Sequence, residues 1–332
     1  MGQRHPGVQG HLKKPLKGFL LIKRLFLLIL IGLCCSFLLY SENSIPGLRV
    51  AAVQLHIDED LYSSVESFRR RISELIAECR QFEPDLIIFP EYTSVFIALI
   101  PYNRIIKKAA NMAEGWEMIK KQEPLLKELR DLFLFNSGLV ERVVYSVFAD
   151  LAAEYGVNII GGSYFAWKKT KAEEVSLRNR AFLFDDQGRL IYLQDKVFLT
   201  KFERELLGLS PGSMADAAPF SIKQRRIALS ICRDTFMSEW EAHFAGSDLW
   251  LDIKANGTAY TPEEADAFRR ALPARIGPAG VGAGITTCLT GKFLDLFWEG
   301  ESSLAIAAGG RVKLVQRAES ASEEEILFLT ID

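Results

Sequence analysis

Three residues with the chemistry of a nucleophilic site each follow a short apolar run in this 332-residue chain. Glu91 follows "LIIFP", Lys196 follows "LIYLQD", and Cys232 ends "IALSIC". Short apolar runs bounded by polar residues are typical of buried strands. Because the carboxyl ends of such strands meet at a crevice in an α/β fold, we expect the three side chains to converge there.

The combination of thiol, carboxylate and ammonium predicts nucleophilic catalysis. A free thiol has a pKa near about 8.5, so it needs a base or a cation to become nucleophilic at neutral pH. Glu91 can accept that proton, and Lys196 can stabilise the oxyanion that forms when the sulfur of Cys232 attacks a carbonyl or nitrile carbon. Each residue alone also has an ordinary structural interpretation: a cap or solvated charge for Glu91 and Lys196, and core packing for Cys232.

The elements that must position these residues are continuously apolar strands, which are typical of a sheet covered on both faces. Apolar spacing predicts a helix over 63–82, and a helical insertion is expected over about 95–145. The pattern favours a four-layer α-β-β-α sandwich preceded by one N-terminal hydrophobic helix, with a doubly wound α/β fold as the alternative. Strands are predicted at 48–55, 85–91, 154–165, 178–185, 189–197, 226–232, 248–253, 283–289, 302–308 and 326–332.

Five segments together resemble the carbon–nitrogen hydrolase (nitrilase) superfamily. They are "VAAVQL", "FPE", "DKVFLTKFE", "ALSICRD" and "FWEGESSLAIAAGGRV", and the resemblance covers residues 48–332. It implies the α-β-β-α sandwich, no cofactor, and an assembly that is a homodimer or larger. It also implies Glu91 as the general base, Lys196 as the oxyanion and charge stabiliser, and Cys232 as the nucleophile. The implied reaction is hydrolysis of a small amide, carbamoyl compound or nitrile through a thioester.

The resemblance leaves two positions open. Members usually have a second glutamate shortly after the lysine, and "FERELLGLSPG" offers Glu203 and Glu205. The motif "FER", which some members have, favours Glu203 for the catalytic site. Counting back from Pro211-Gly212 instead selects Glu205. Where members commonly have an aromatic residue or Asn after the cysteine, this chain has Arg233. Arg233 either binds a substrate carboxylate or pairs with Asp234 or another acid, and the structural pairing is favoured.

The N-terminal residues predict a membrane attachment. Residues 1–24 contain several lysines and arginines and no acid, and residues 25–40, "LFLLILIGLCCSFLLY", are uniformly apolar. This order predicts a signal anchor, with a cleaved signal peptide as the alternative. Either interpretation places the hydrolase domain, 46–332, on the extracytoplasmic side of the membrane.

Composition excludes some partners and leaves two other functions open. A formal net charge of −2 gives no electrostatic basis for nucleic-acid binding, and the cysteines and histidines lack the spacing of metal ligands. The same Glu-Lys-Cys residues would also serve a membrane-associated N-acyltransferase. The remaining alternative is an inactive, anchored binding protein on a hydrolase fold.

Overall fold

The computed structural model describes residues 47–169 and 175–332, together with Met1. Pro46–Asp332 form one compact unit. Apart from Met1, the basic segment 1–24 and the predicted anchor 25–40 lie outside the described residues.

Strands and helices of the described residues follow one another from Leu48 to Ile331. The strands are β1 Leu48–Ile57, β2 Leu86–Ile88, β3 Asn158–Lys169, β4 Val175–Phe184, β5 Leu190–Asp195, β6 Phe220–Ile222, β7 Arg225–Ile231, β8 Leu249–Ala255, β9 Ala283–Phe293, β10 Leu296–Trp298, β11 Ser303–Ala308, β12 Arg311–Arg317 and β13 Glu325–Ile331. The α-helices are α1 Val65–Cys79, α2 Asn103–Ile106, α3 Met112–Gln122, α4 Leu129–Tyr155, α5 Lys201–Glu205, α6 Glu239–His243 and α7 Pro262–Ala279. The 3-10 helices are Arg80–Phe82, Val95–Tyr102, Met214–Asp216 and Cys232–Phe236.

The strands form two sheets that share β1. The first sheet has the order β5-β4-β3-β2-β1, with β13 antiparallel to β1, and the second has the order β9-β8-β7-β6. Ala52 of β1 pairs with β2, whereas Leu55–Ile57 pair in parallel with β9. The chain reverses between β3 and β4 and again between β4 and β5. Strand β5 therefore runs in the same direction as β2, and the carboxyl ends of both strands lie at the same end of the first sheet.

Three hydrophobic clusters separate four layers. The central cluster joins the facing sides of both sheets, for example Ile88 of β2 and Leu229 of β7. A second cluster packs the first sheet against α1 and α4 and includes Phe68. The third packs the second sheet against α6 and α7 and includes Trp250 and Leu272. The predicted four-layer sandwich is therefore the observed fold, whereas the doubly wound alternative would have a single central sheet.

The helical region expected as an insertion over about 95–145 belongs to the core. Phe96 stacks on Phe293 of β9 with ring centroids 4.2 Å apart. Helix α4 continues to Tyr155, and its buried Val144 lies in the cluster against the first sheet. Among the described helices, α4 is the one long and apolar enough to cross a membrane. Its packing against the sheet accounts for that composition.

Candidate active site

Glu91 lies on the loop after β2 and is held there by a bulge in β3. The Tyr92 N–H donates to the Ser163 hydroxyl at 2.9 Å. The Pro90 carbonyl packs against Gly162, whose φ is +74° and where an added Cβ would lie 2.0 Å from that oxygen. Only glycine fits this close approach. The Glu91 side chain is fully buried, so its interpretation as a solvated charge does not hold.

The Lys196 ammonium lies between two buried carboxylates. Its Nζ is 2.8 Å from Glu91 Oε1 and 2.9 Å from the Glu203 carboxylate. Glu203 comes from α5, whose capping box lets the Thr200 N–H donate to Glu203 Oε2 at 2.8 Å. The Glu205 side chain is 64% exposed. The structure thus brings Glu203 into the cluster and leaves Glu205 outside it.

Three neutral donors that the sequence did not predict complete the cluster. Asn179 of β4 donates from Nδ2 to Glu91 Oε1 at 2.7 Å and to Glu203 Oε1 at 3.1 Å. The Tyr92 hydroxyl donates to Glu203 Oε1 at 2.8 Å. The Ala255 N–H, at the end of β8, donates to Glu91 Oε2 at 3.0 Å. The two carboxylates are therefore fixed by contacts from both sheets.

Cys232 begins a 3-10 turn at the carboxyl end of β7, with a left-handed backbone at φ +54°. This conformation costs roughly 1–2 kcal/mol for a residue with a Cβ, and such strain is concentrated at functional sites. Asp234 secures the turn, because its carboxylate accepts from the Phe198 N–H at 2.7 Å and the Val197 N–H at 3.2 Å. Since these residues directly follow Lys196, Asp234 ties the sulfur-bearing turn to the ammonium-bearing segment.

Burial and charge separate the proton affinities of the two glutamates. Burial raises the pKa of the Glu91 carboxyl by more than the Lys196 charge lowers it. Burial also opposes ionisation of Glu203, but Lys196 and the hydrogen bonds outweigh it and lower that pKa. Burial disfavours the Lys196 ammonium, yet Glu91 and the other nearby anions raise its pKa. Two carboxylates with divergent pKa values suit different roles, and Glu91 is the better proton acceptor.

The Cys232 thiol is electrostatically coupled to this cluster. Burial, followed by the Glu91 charge, raises the pKa of the thiol to about 12, although Lys196 and Lys254 lower it. The sulfur is therefore protonated at neutral pH and needs a base as it reacts. Asp234 bonds the Cys232 turn to the residues that follow Lys196, and Lys196 Nζ lies 2.8 Å from Glu91, so the structure brings the three predicted residues to one end of the sandwich.

Arg233, directly after Cys232, has an exposed side chain. No ion pair or hydrogen bond of its guanidinium occurs within the described residues. Asp234, its expected partner, is buried and accepts from backbone N–H groups instead. The structural pairing favoured from the sequence is therefore not observed, because that carboxylate is already committed to the turn.

Across residues 47–169 and 175–332, no group of three or more His, Cys, Asp and Glu side chains is arranged to hold a metal ion. The described part of the chain contains three cysteines, Cys79, Cys232 and Cys288, all free and buried. Of these three, Cys232 alone has a left-handed backbone.

Similarity to known proteins extends over most of the described fold. Residues 49–243 match the carbon-nitrogen hydrolase family. The probable hydrolase YhcX of Bacillus subtilis (strain 168) is 40% identical over 89 residues, which are 27% of this chain and 16% of that relative. The match therefore spans a small part of that relative's length.

Several solved structures share the fold at low sequence identity. A carbon-nitrogen hydrolase from Helicobacter pylori G27 has a TM-score of 0.61 and 19% identity, covering 86% of this chain and 89% of that chain. An amidase from Nesterenkonia sp. AN1, solved in complex with butyramide, has a TM-score of 0.60 and 18% identity. The match covers 85% of this chain and 90% of the amidase chain. Another structure of that amidase shows covalent addition of the acetamide moiety of fluoroacetamide at its active site cysteine; its TM-score is 0.59 with 17% identity, covering 85% and 89%.

Proposed function

Because the chain belongs to the carbon-nitrogen hydrolase family, we propose that it hydrolyses a small amide or carbamoyl compound with Cys232 as the nucleophile. The observation that carries this proposal is the buried cluster in which Lys196 Nζ lies 2.8 Å from Glu91, with both charges acting on the Cys232 sulfur. In the Nesterenkonia amidase, covalent addition of the acetamide moiety of fluoroacetamide at the active site cysteine reports a nucleophilic sulfur on the same fold, which supports Cys232 as the nucleophile. Glu91 is assigned as the general base and Lys196 as the oxyanion stabiliser.

The first half-reaction forms an acyl thioester. Glu91 accepts the thiol proton as the Cys232 sulfur bonds to the substrate carbonyl carbon. The electron pair of the C=O bond moves to oxygen, and the Lys196 ammonium stabilises the resulting oxyanion. When the oxyanion collapses, the C–N bond breaks and Glu91 returns its proton to the leaving nitrogen. Ammonia or an amine departs.

The second half-reaction consumes one water molecule. Glu91, again ionised, takes a proton from water as the water oxygen bonds to the thioester carbon. Collapse of this intermediate breaks the C–S bond, and the proton held by Glu91 restores the Cys232 thiol. The carboxylic acid product is released and no electrons are exchanged. A carboxyl with a raised pKa suits this repeated exchange of a proton.

Glu203 has a positioning role in this mechanism. Its lowered pKa keeps it ionised while Glu91 is protonated. Lys196 then retains a carboxylate partner at 2.9 Å throughout the cycle. The ammonium stays charged and in place when the oxyanion forms.

The direct test compares Cys232→Ala with Cys79→Ala, a control that removes another buried thiol. Ammonia release from a panel of small amides should be lost in the first variant and retained in the second. Full amidase activity in Cys232→Ala would overturn the proposal. A chain that neither turns over nor forms an adduct with any amide or acyl donor would be the inactive binding protein.

We propose that Arg233 contributes to substrate choice by binding a carboxylate on the substrate. Its guanidinium is exposed, has no partner among residues 47–169 and 175–332, and follows the nucleophile directly in the chain; this supports the role, since guanidinium groups bind carboxylates in bidentate fashion. In Arg233→Leu, KM for an amide that carries a free carboxylate should rise about ten-fold, a loss of ~1.4 kcal/mol in binding. KM for an uncharged amide of the same length should be unchanged. Equal effects on both amides would contradict the assignment.

We also propose that residues 25–40 anchor the protein in a membrane with the hydrolase domain outside the cytoplasm. The uniformly apolar segment after a basic flank supports this location. The full chain should sediment with membranes. Protease added to cells that have lost their outer layers but keep an intact cytoplasmic membrane should digest the hydrolase domain. A long-chain acyl adduct on Cys232 after incubation with lipids would instead favour the N-acyltransferase.

A further inference from the structure

A second buried ion pair lies on β8, behind the turn that carries Cys232. Asp252 and Lys254 alternate along the strand with Leu251 and Ile253, so the two charged side chains face the same side of the sheet. Lys254 Nζ is 2.8 Å from Asp252 Oδ2, and both side chains are 0% exposed. This pair plays no part in the mechanism described above.

The Lys254 ammonium contacts the backbone of the nucleophile. Its Nζ donates to the Cys232 carbonyl at 3.2 Å. The same nitrogen lies 4.7 Å from the ring centroid of Phe236 and 5.0 Å from that of Phe268 on α7. Aromatic ring faces attract cations. The ammonium is thus enclosed by one carboxylate, one carbonyl and two rings.

Stability alone is a weak reason for this pair. Removing two charges from water costs several kcal/mol per ion, and apolar side chains of similar volume often stabilise a core as well. The location of the pair gives a better reason. Lys254 bonds to the carbonyl of the residue whose backbone is left-handed, and a buried carbonyl in such a turn needs a partner.

We propose that Lys254, oriented by Asp252, is a positioning residue for Cys232. Its hydrogen bond to the Cys232 carbonyl stabilises the left-handed turn that presents the sulfur. Its ammonium also places a second positive charge near the sulfur as the thiol proton leaves. This inference rests on the proposed role of Cys232 as the nucleophile.

The charges around the sulfur are consistent with this role. The titratable groups that act on Cys232 or on Lys254 include Glu91, Lys196, Asp252 and Cys288. Burial lowers the pKa of Lys254, but the charge and hydrogen bond of Asp252, together with the nearby cysteines, outweigh burial and raise it, so the ammonium remains charged at neutral pH. Lys196 is shared between two carboxylates, whereas Lys254 has one carboxylate partner and directs a proton to the nucleophile's own carbonyl.

The test uses the full chain with Lys254→Met, and with Lys313→Met as a control at an exposed lysine of β12. Iodoacetamide alkylation of Cys232 is followed against pH by peptide mass spectrometry, with Cys79, which is not coupled to Lys254, as the internal reference. In Lys254→Met, alkylation at pH 8 should slow about ten-fold and its profile should move to higher pH, as a ten-fold lower thiolate fraction requires. The kcat should fall by about the same factor, with KM unchanged.

Lys254→Gln separates the hydrogen bond from the charge. Its amide can still donate to the Cys232 carbonyl, so kcat should recover in part while the alkylation profile stays displaced. If circular dichroism shows that Lys254→Met does not fold, the alkylation profile and kcat of Lys254→Gln provide the test. A folded variant that alkylates with the parent's pH profile would overturn the inference. That failure is distinct from an active Cys232→Ala, which would overturn the proposed function instead.

Discussion

Two groups of buried charges flank Cys232, and they differ in charge balance. The Glu91–Lys196–Glu203 cluster has two carboxylates for one ammonium, whereas the Asp252–Lys254 pair has one of each. A cluster with a spare carboxylate can accept a proton and still keep its ammonium paired. A balanced pair cannot do so without losing its ion pair. The comparison therefore assigns proton transfer to the first group and support of the nucleophile's backbone to the second.

The largest effect is expected when the first group loses its cation. Lys196→Met leaves two buried carboxylates facing one another, and breaking a buried ion pair costs about 3–5 kcal/mol of folding stability. The missing oxyanion donor should lower kcat by about 10²–10³-fold as well. Urea unfolding and steady-state kinetics measure the two effects. The control is Lys201→Met, because the Lys201 side chain is 80% exposed and should tolerate the change. Normal kinetics in Lys196→Met would remove the functional distinction between the groups.

A smaller effect is expected when the Glu91–Lys196–Glu203 cluster loses one carboxylate charge. It then has one carboxylate and one ammonium, as the Asp252–Lys254 pair has. In Glu203→Gln, Lys196 has no ionised partner while Glu91 carries a proton, so kcat should fall about ten-fold, or ~1.4 kcal/mol in barrier. The pKa of Lys196 should also fall, so activity should decline at lower alkaline pH than in the parent. Glu205→Gln is the matched control, two residues further along the same helix and exposed. Identical pH profiles for both variants would show that the spare carboxylate is unimportant.

The smallest effect concerns Asp234, which bonds the Cys232 turn to the backbone after Lys196. Burial raises the pKa of this carboxyl to about 7, against the hydrogen bonds it accepts from backbone N–H groups. A folded-state pKa above the unfolded value means that the folded chain binds the proton more tightly. The stabilising contribution is therefore complete below about pH 4 and is lost as pH rises through about 7. In Asp234→Asn this dependence is absent.

The measurement is the free energy of unfolding by urea for parent and Asp234→Asn at about pH 6.5 and pH 8, on either side of the folded-state pKa. The difference, parent minus variant, should decrease toward pH 8 by on the order of 1 kcal/mol. A difference that stays constant or grows with pH would show that Asp234 is ionised throughout this range.

Strand ends were the informative part of the sequence. The runs before Glu91, Lys196 and Cys232 predicted three strands that end at one edge of the sandwich, and β2, β5 and β7 do so. Apolar periodicity in the short helix α5 did not separate Glu203 from Glu205, since five residues leave both compatible with the site. The capping box is the local signal that separates them, because Thr200 and Glu203 stand at its T-x-x-E spacing and Glu205 does not.

Residues that act across strands had no local signal. Asn179 lies between Arg178 and Arg180 in β4, where nothing local marks it as a site residue, and its two carboxylate partners are 88 and 24 residues away. Asp252 and Lys254 alternate with apolar residues, a pattern typical of a strand with one solvated face. Helix α7 covers that face, and this coverage becomes visible only in the packed fold. The short strands β6, β10 and β12 were likewise not predicted.

The most direct test of the account is the chemical state of Cys232 during turnover. A reaction with a small amide is quenched in acid within milliseconds to seconds, and the peptide that contains Cys232 is analysed by mass spectrometry. We predict an acyl adduct on that sulfur, cleaved by hydroxylamine, whose formation and decay keep pace with product release. Turnover with an unmodified Cys232, or with the acyl group on another residue, would contradict the account.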